Sequence, residues 1–228
     1  MEILEETVPC MKLFLEVISV TIFLTVTSHL LYAFRSVPWI NEYLSIIVAL
    51  LLLYVPVLLM WRKGRKITFF DEGWKAYTRS LKIFLISLFI VFPPFLIAAH
   101  FWYEIVFHLK GFSFPPYPNM LNILFFQVLL VALPEEFFFR GYMQTTFNEI
   151  FKSRWRILGV NLGWSWILTA ALFALAHSIV VVQWWHFAIF FPALLFGYLR
   201  ERTGSITVPI LFHAASNIIL DFFSRGYR

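Results

Sequence analysis

The chain has 228 residues, of which 61% are hydrophobic, 20% aromatic and 14% charged, with a mean hydropathy of +0.79. A soluble domain is nearer half apolar and a quarter charged, so the composition excludes a soluble globular protein and predicts an all-α, polytopic transmembrane helical bundle in a lipid bilayer. The formal net charge of +5 reads as basic cytoplasmic loops and not as a nucleic-acid surface, because the charges fall between apolar runs.

A helix needs about 20 apolar residues to cross a bilayer. By that measure the spans fall at 13–34, 43–61, 83–108, 119–148, 157–178, 181–199 and 206–223. Pro93-Pro94 interrupts the third, which then counts as one piece or two, so about seven or eight membrane helices are expected. The start, Met1 to Pro9, is acidic, and the apolar run after it carries Glu16 and is longer than a signal h-region; it reads as a retained span. The one cysteine, Cys10, excludes an intramolecular disulfide and a CxxC metal or redox site.

Arg62, Lys63, Arg65, Lys66, Lys75, Arg79 and Lys82 crowd one stretch and put it in the cytoplasm. Counting spans onward brings Lys152, Arg154 and Arg156, and then Arg200 and Arg202, to the same side. Arg225 and Arg228 would fall outside, a contradiction that a re-entrant or interfacial last segment would remove. The expected location is the plasma membrane, as a multi-pass protein.

The fourth span carries the most informative cluster, Pro134, Glu135, Glu136, Phe137, Phe138, Phe139, Arg140 and Gly141. A charge at membrane depth costs about 2.5–3.5 kcal/mol on insertion scales and persists where it lines a protein interior or a wet cavity. Glu135 and Glu136 point about 100° apart on a helix, so one of them heads the cavity. Glu136 and Arg140 stand four apart with the acid first, the better order for an ion pair. Pro134 is expected to kink or restart the helix and aim the carboxylates.

Phe173 and His177 stand four apart on the next span, and His213 and Asn217 four apart on the last. Three helices thus offer a carboxylate, a histidine and a histidine–amide pair, an inventory for activating water and stabilising an oxyanion. His29, His100, His108 and His186 lack a patterned partner and read as helix-to-helix hydrogen-bond contacts. A His-Glu-x-x-His zinc motif is absent, as is a Gly-x-Ser-x-Gly elbow. Ser165 and Ser205 lie near glycines without the pattern of a serine-type intramembrane site. No aspartate sits in mid-span, Asp221 being near the chain end.

Glu135-Glu136-x-x-x-Arg140, Phe173-x-x-x-His177 and His213-x-x-x-Asn217, in that order, resemble the three motifs of the CAAX protease and bacteriocin-processing family. These are membrane endopeptidases that include the Ras-converting endopeptidase of prenylated proteins. The resemblance covers residues 119–223 as a catalytic core, while 1–110 contribute N-terminal membrane helices without a motif. It implies that Glu135 is the general base, acting with His177 on a water that attacks a peptide carbonyl. His213 and Asn217 would stabilise the oxyanion, with Glu136, Arg140 and Phe173 in support. It implies a protein or peptide substrate and no cofactor. Zinc held by Glu135, His177 and His213 is the mechanistic alternative. The substrate stays open between a prenylated C-terminus, a bacteriocin leader and a surface-protein anchor, and so does the oligomeric state. A non-catalytic scaffold or immunity factor, and a transporter using Glu135 and His177 as a proton relay, are the rival readings. The relay predicts a continuous polar path, for which the spans between motifs offer few further polar groups.

Overall fold

The structure, a computed structural model, describes residues 2–109, 111–116 and 119–227; the side chains of residues 2–9 and Trp184 lie outside that description, as does Arg228, one of the two C-terminal basic residues considered above. Among the described residues seven helices run in the order α1 (Glu2–Ala33), α2 (Pro38–Arg62), α3 (Trp74–Ile105), α4 (Met120–Ile150), α5 (Trp164–Val180), α6 (Phe190–Thr203) and α7 (Thr207–Gly226). A short hairpin, β1 (Trp155–Ile157) and β2 (Val160–Leu162), precedes α5, and a 3-10 turn, Trp184–Ile189, precedes α6. The molecule is therefore an all-α membrane bundle apart from one hairpin. Within α1, the stretch Cys10–Ala33 is long and apolar enough to cross a membrane, as are α2, α3, α4 and α7; α5 is apolar but shorter. By that measure five helices among the described residues span, against the expected seven or eight.

Local chemistry explains the boundaries. Pro38 opens α2, where its missing N–H costs no helical hydrogen bond. Gly204, at φ 75°, closes α6 in the left-handed conformation that a side chain disfavours. The hairpin turns on Leu158 and Gly159, both at positive φ (47° and 80°), as a two-residue turn matching the twist of its strands requires. This hairpin displaces the predicted fifth span: helix begins at Trp164 and not at 157. The predicted sixth span, 181–199, is the 3-10 turn followed by α6. Pro93 and Pro94 do not divide α3, which stays one helix through both.

The two ends of the bundle differ in charge. At one end Lys63 pairs with Glu16 and Arg65 with Glu149. Arg79 donates to the Arg202 carbonyl at 3.3 Å, and Arg202 to the Leu158 carbonyl at 3.4 Å. The three basic stretches thus gather together, as their spacing predicts. At the opposite end Phe112 bridges to Tyr227. Because α7 is one continuous helix of spanning length, Arg225 lies at that opposite end; no re-entrant segment is needed. Its guanidinium pairs with Asp221 at 2.8 Å, which offsets the misplaced charge.

The largest core cluster joins Val17, Leu24 and Leu52 of the first two helices to Ala132, Phe137, Phe147, Phe173 and Ile210. The first two helices are therefore packed onto the motif-bearing ones. By contrast, only 6% of the most apolar window of α3 is buried, leaving its side chains for lipid.

Candidate active site

Pro134 does not break α4. Helical backbone continues through it, with wider π-helical stretches on either side, Gln127–Ala132 and Phe137–Met143. Proline removes one N–H and crowds the preceding turn, and a π stretch opens the turn enough to absorb both; such bulges concentrate at functional sites.

Successive glutamates then face different surroundings. Glu136 is fully buried: its Oε1 accepts from Arg140 Nη1 at 3.0 Å and from His213 Nδ1 at 2.8 Å. Arg140, also fully buried, donates its other terminal nitrogen to the Ala193 carbonyl at 3.0 Å. Its guanidinium lies 4.3 Å above the Phe173 ring and 5.2 Å from Phe196. An ion pair without water repays its desolvation only with such additional hydrogen bonds. Glu135 instead turns to a cavity of about 270 Å³, which His177 also lines.

The Oε2 atom of Glu135 stands 3.5 Å from His177 Nε2 and 3.8 Å from His213 Nε2. It makes no hydrogen bond among the described residues. Backbone and carboxylate partners make Nδ1 the donor in both rings. His177 Nδ1 is 2.9 Å from the Phe173 carbonyl, which can only accept, so Nδ1 donates, and in the neutral ring Nε2 carries the lone pair. His213 Nδ1 donates to Glu136 by the same argument. Phe173 lies between the Arg140 guanidinium and the His177 ring, whose centroid is 4.4 Å away. Phe196 stacks on His213 at 4.8 Å.

Six of the seven residues singled out from the sequence thus meet: Glu135, Glu136, Arg140, Phe173, His177 and His213. Asn217 stands slightly apart, one turn beyond His213, and donates to Gln127 Oε1 at 3.0 Å. Because α5 starts at Trp164, His177 falls level with Glu135, where a start at 157 would leave it too deep. Among the described residues no three His, Cys, Asp or Glu are grouped to hold a metal ion. His29 and His186 reach backbone carbonyls, of Val180 at 3.4 Å and of His177 at 3.2 Å, and His100 bonds the Tyr227 hydroxyl.

Several neighbours are new. Gln144 is fully buried and donates to the Gly197 carbonyl at 3.2 Å and to Glu201 at 2.8 Å. Asn148 donates to the same Glu201 oxygen at 2.8 Å. A polar column thus runs along one face of α4 from Glu136 toward the basic end. The spacing 136, 140, 144, 148 was a readable signal for it, and it corrects the expectation of few polar groups there. The cavity's outer wall comes from α1 and α2, through Leu24, Thr25, Ser45 and Leu52 among others; no motif marks them.

Residues 117–219 match the family described as Type II CAAX prenyl endopeptidase Rce1-like. No curated protein and no solved structure matches the chain.

Proposed function

From the premise that residues 117–219 belong to the Rce1-like family of CAAX prenyl endopeptidases, we propose that this integral membrane protease hydrolyses a peptide bond by water activated between Glu135 and His177. The observation that carries the reading is an ionisable oxygen, Glu135 Oε2, left without a hydrogen-bond partner among the described residues and 3.5 Å from His177 Nε2, beside a cavity that both residues line. A water there donates one hydrogen to the carboxylate and the other to His177 Nε2, which leaves its own lone pair for the scissile carbonyl. Glu135 takes the proton as the oxygen–carbon bond forms, and returns it to the leaving amine when the tetrahedral intermediate collapses.

The oxyanion needs donors. His213 Nδ1 gives its hydrogen to Glu136, so His213 Nε2 can donate only when the ring carries both protons. Arg140 holds the Glu136 carboxylate in place through their 3.0 Å ion pair. Asn217, with one amide hydrogen on Gln127, would supply the second donor from the next turn. Phe173, tilted against His177, and Phe196, stacked on His213, hold the two imidazoles. No zinc enters these steps, because the carboxylate and the two imidazoles complete the proton inventory.

The protein acts as a multi-pass enzyme of the plasma membrane on a membrane-associated protein. Its catalytic groups come from the segment 119–223, and 1–110 supply the outer wall of the cavity. The test is the Glu135→Ala variant in reconstituted membranes. Cleavage is lost while the protein stays folded by size-exclusion and thermal melting. Near-native cleavage by that variant removes Glu135 as the base.

A further inference from the structure

Stacked rings join α3 to the last helix at two levels. Deep in the bundle Phe92 lies on Phe212, with ring centroids 5.3 Å apart. Near the end away from the basic loops Tyr103 lies on Tyr227, just past α7, at 4.9 Å. The two contacts are separated by about 16 Å of α3 at the rise of an α-helix. Between them stand Ala98 and Ala99, whose side chains are too short to close the gap toward the 3-10 turn and α6. A groove of about 860 Å³ results, about three times the volume of the cavity at Glu135 and sharing only His186 with it. Trp102, Phe107 and Leu220 on its walls keep 37–38% exposure, so the groove opens to the outside of the bundle.

Polarity changes along this groove. Its deep part is formed by Phe95, the two alanines, Pro192 and Leu220. Toward the end of the bundle come the rings of Trp102, Tyr103, Phe107 and Trp185, and the Asp221 carboxylate. Phe107 joins those rings edge-on, 6.4 Å from Trp102 and 5.7 Å from Trp185. One turn beyond Asp221, Arg225 pairs with it at 2.8 Å, and the two side chains keep 38% and 50% exposure. A carboxylate and a guanidinium thus stand together at the rim. Among the described residues no lysine or arginine lines the groove itself.

An apolar slot that ends in aromatic rings at the level of the membrane surface has the polarity profile of a lipid, and paired opposite charges at its mouth complement a headgroup that carries both signs. We propose that the groove holds one phospholipid with a zwitterionic, ammonium-and-phosphate headgroup, drawn from the leaflet at that end. Its acyl chains lie along Phe95, the alanines and Leu220. The ammonium sits between Asp221 and the ring faces, each of which attracts a cation. The phosphate sits on Arg225, whose planar fork suits its oxygens. An anionic lipid would bring its net charge beside Asp221, and an uncharged headgroup would leave the ion pair without a complement. The inference stands apart from the chemistry at Glu135.

Native mass spectrometry of the delipidated full chain in detergent tests it, with dioleoyl phosphatidylethanolamine, dioleoyl phosphatidylglycerol and dioleoylglycerol added one at a time. One phosphatidylethanolamine binds, severalfold more tightly than either of the others. Ala99→Trp fills the groove and removes that adduct. Leu50→Trp, at an exposed position of α2 that lines neither cavity, retains it. Asp221→Asn deletes the partner of the ammonium and keeps Arg225, so the preference passes to phosphatidylglycerol. Equal binding of the three lipids by the parent, or its preference for phosphatidylglycerol, overturns the inference, as does an adduct that survives Ala99→Trp or is lost in Leu50→Trp. Thermal melting checks that each variant is folded. If Ala99→Trp fails that check, the Asp221→Asn reversal decides, and an unchanged preference there overturns the inference.

Discussion

Replacing Arg140 with methionine isolates the buried ion pair from the chemistry beside it. Glu136 would keep the His213 contact at 2.8 Å and lose the 3.0 Å partner that balances its charge. Both members of the pair are fully buried, so no water reaches the orphaned carboxylate. Breaking such a pair from one side costs about 3–5 kcal/mol, a shift on the order of 10 °C in thermal midpoint for a chain of this size. The Glu136→Leu, Arg140→Met double variant removes both charges. It should regain most of that loss, because a packed apolar pair is often as stable as the ions it replaces. Activity should not return with it, since His213 then lacks the acceptor that orients it. Thermal melting in detergent with a parallel cleavage assay gives both readouts. An Arg140→Met protein as stable as the parent, or a double variant with native activity, would refute the reasoning.

Three further outcomes follow from the packing and the donor set. A methyl group on Gly141 would stand 2.6 Å from the Phe69 ring, and Phe69 is itself 3% exposed. Gly141→Ala should therefore cost about 1–3 kcal/mol by overpacking, read as a lowered melting temperature. Gln144→Leu removes two hydrogen bonds but no group near Glu135, so it should lower stability by about 1–3 kcal/mol and leave the cleavage rate close to native; a collapse of activity in well-folded protein would tie the polar column to catalysis. Cleavage should survive exhaustive chelation, and restoration of a chelated, inactive enzyme by zinc would support the metal mechanism instead.

Much of the site was legible because its chemistry repeats at helical spacing. Glu136 to Arg140, Phe173 to His177 and His213 to Asn217 each share a helix face, and charge in an apolar run is costly enough to signal use. The three basic stretches likewise predicted that their loops share one end of the bundle, as Arg79 and Arg202 show. Other features depend on tertiary context. The 155–162 hairpin hides in an apolar stretch that hydropathy alone reads as helix, and its turn at Leu158-Gly159 is a weaker signal than Asn-Gly. Pro93-Pro94 and Pro134 look like breaks, yet α3 and α4 carry through them, by a π-helical widening in the second case. Nothing in Leu24, Ser45 or Gln127 marks them as cavity or site neighbours, because each is defined by what another helix brings to it.

The account turns on Glu135 and His177 working as one unit on a shared water. Cleavage rates for Glu135→Ala, His177→Ala and the double variant, each verified as folded, test it directly. Residues that act together lose their effect together, so the double variant should be no slower than the slower single one. A double variant whose loss is the full product of the two single losses, or a single variant at near-native rate, would contradict it.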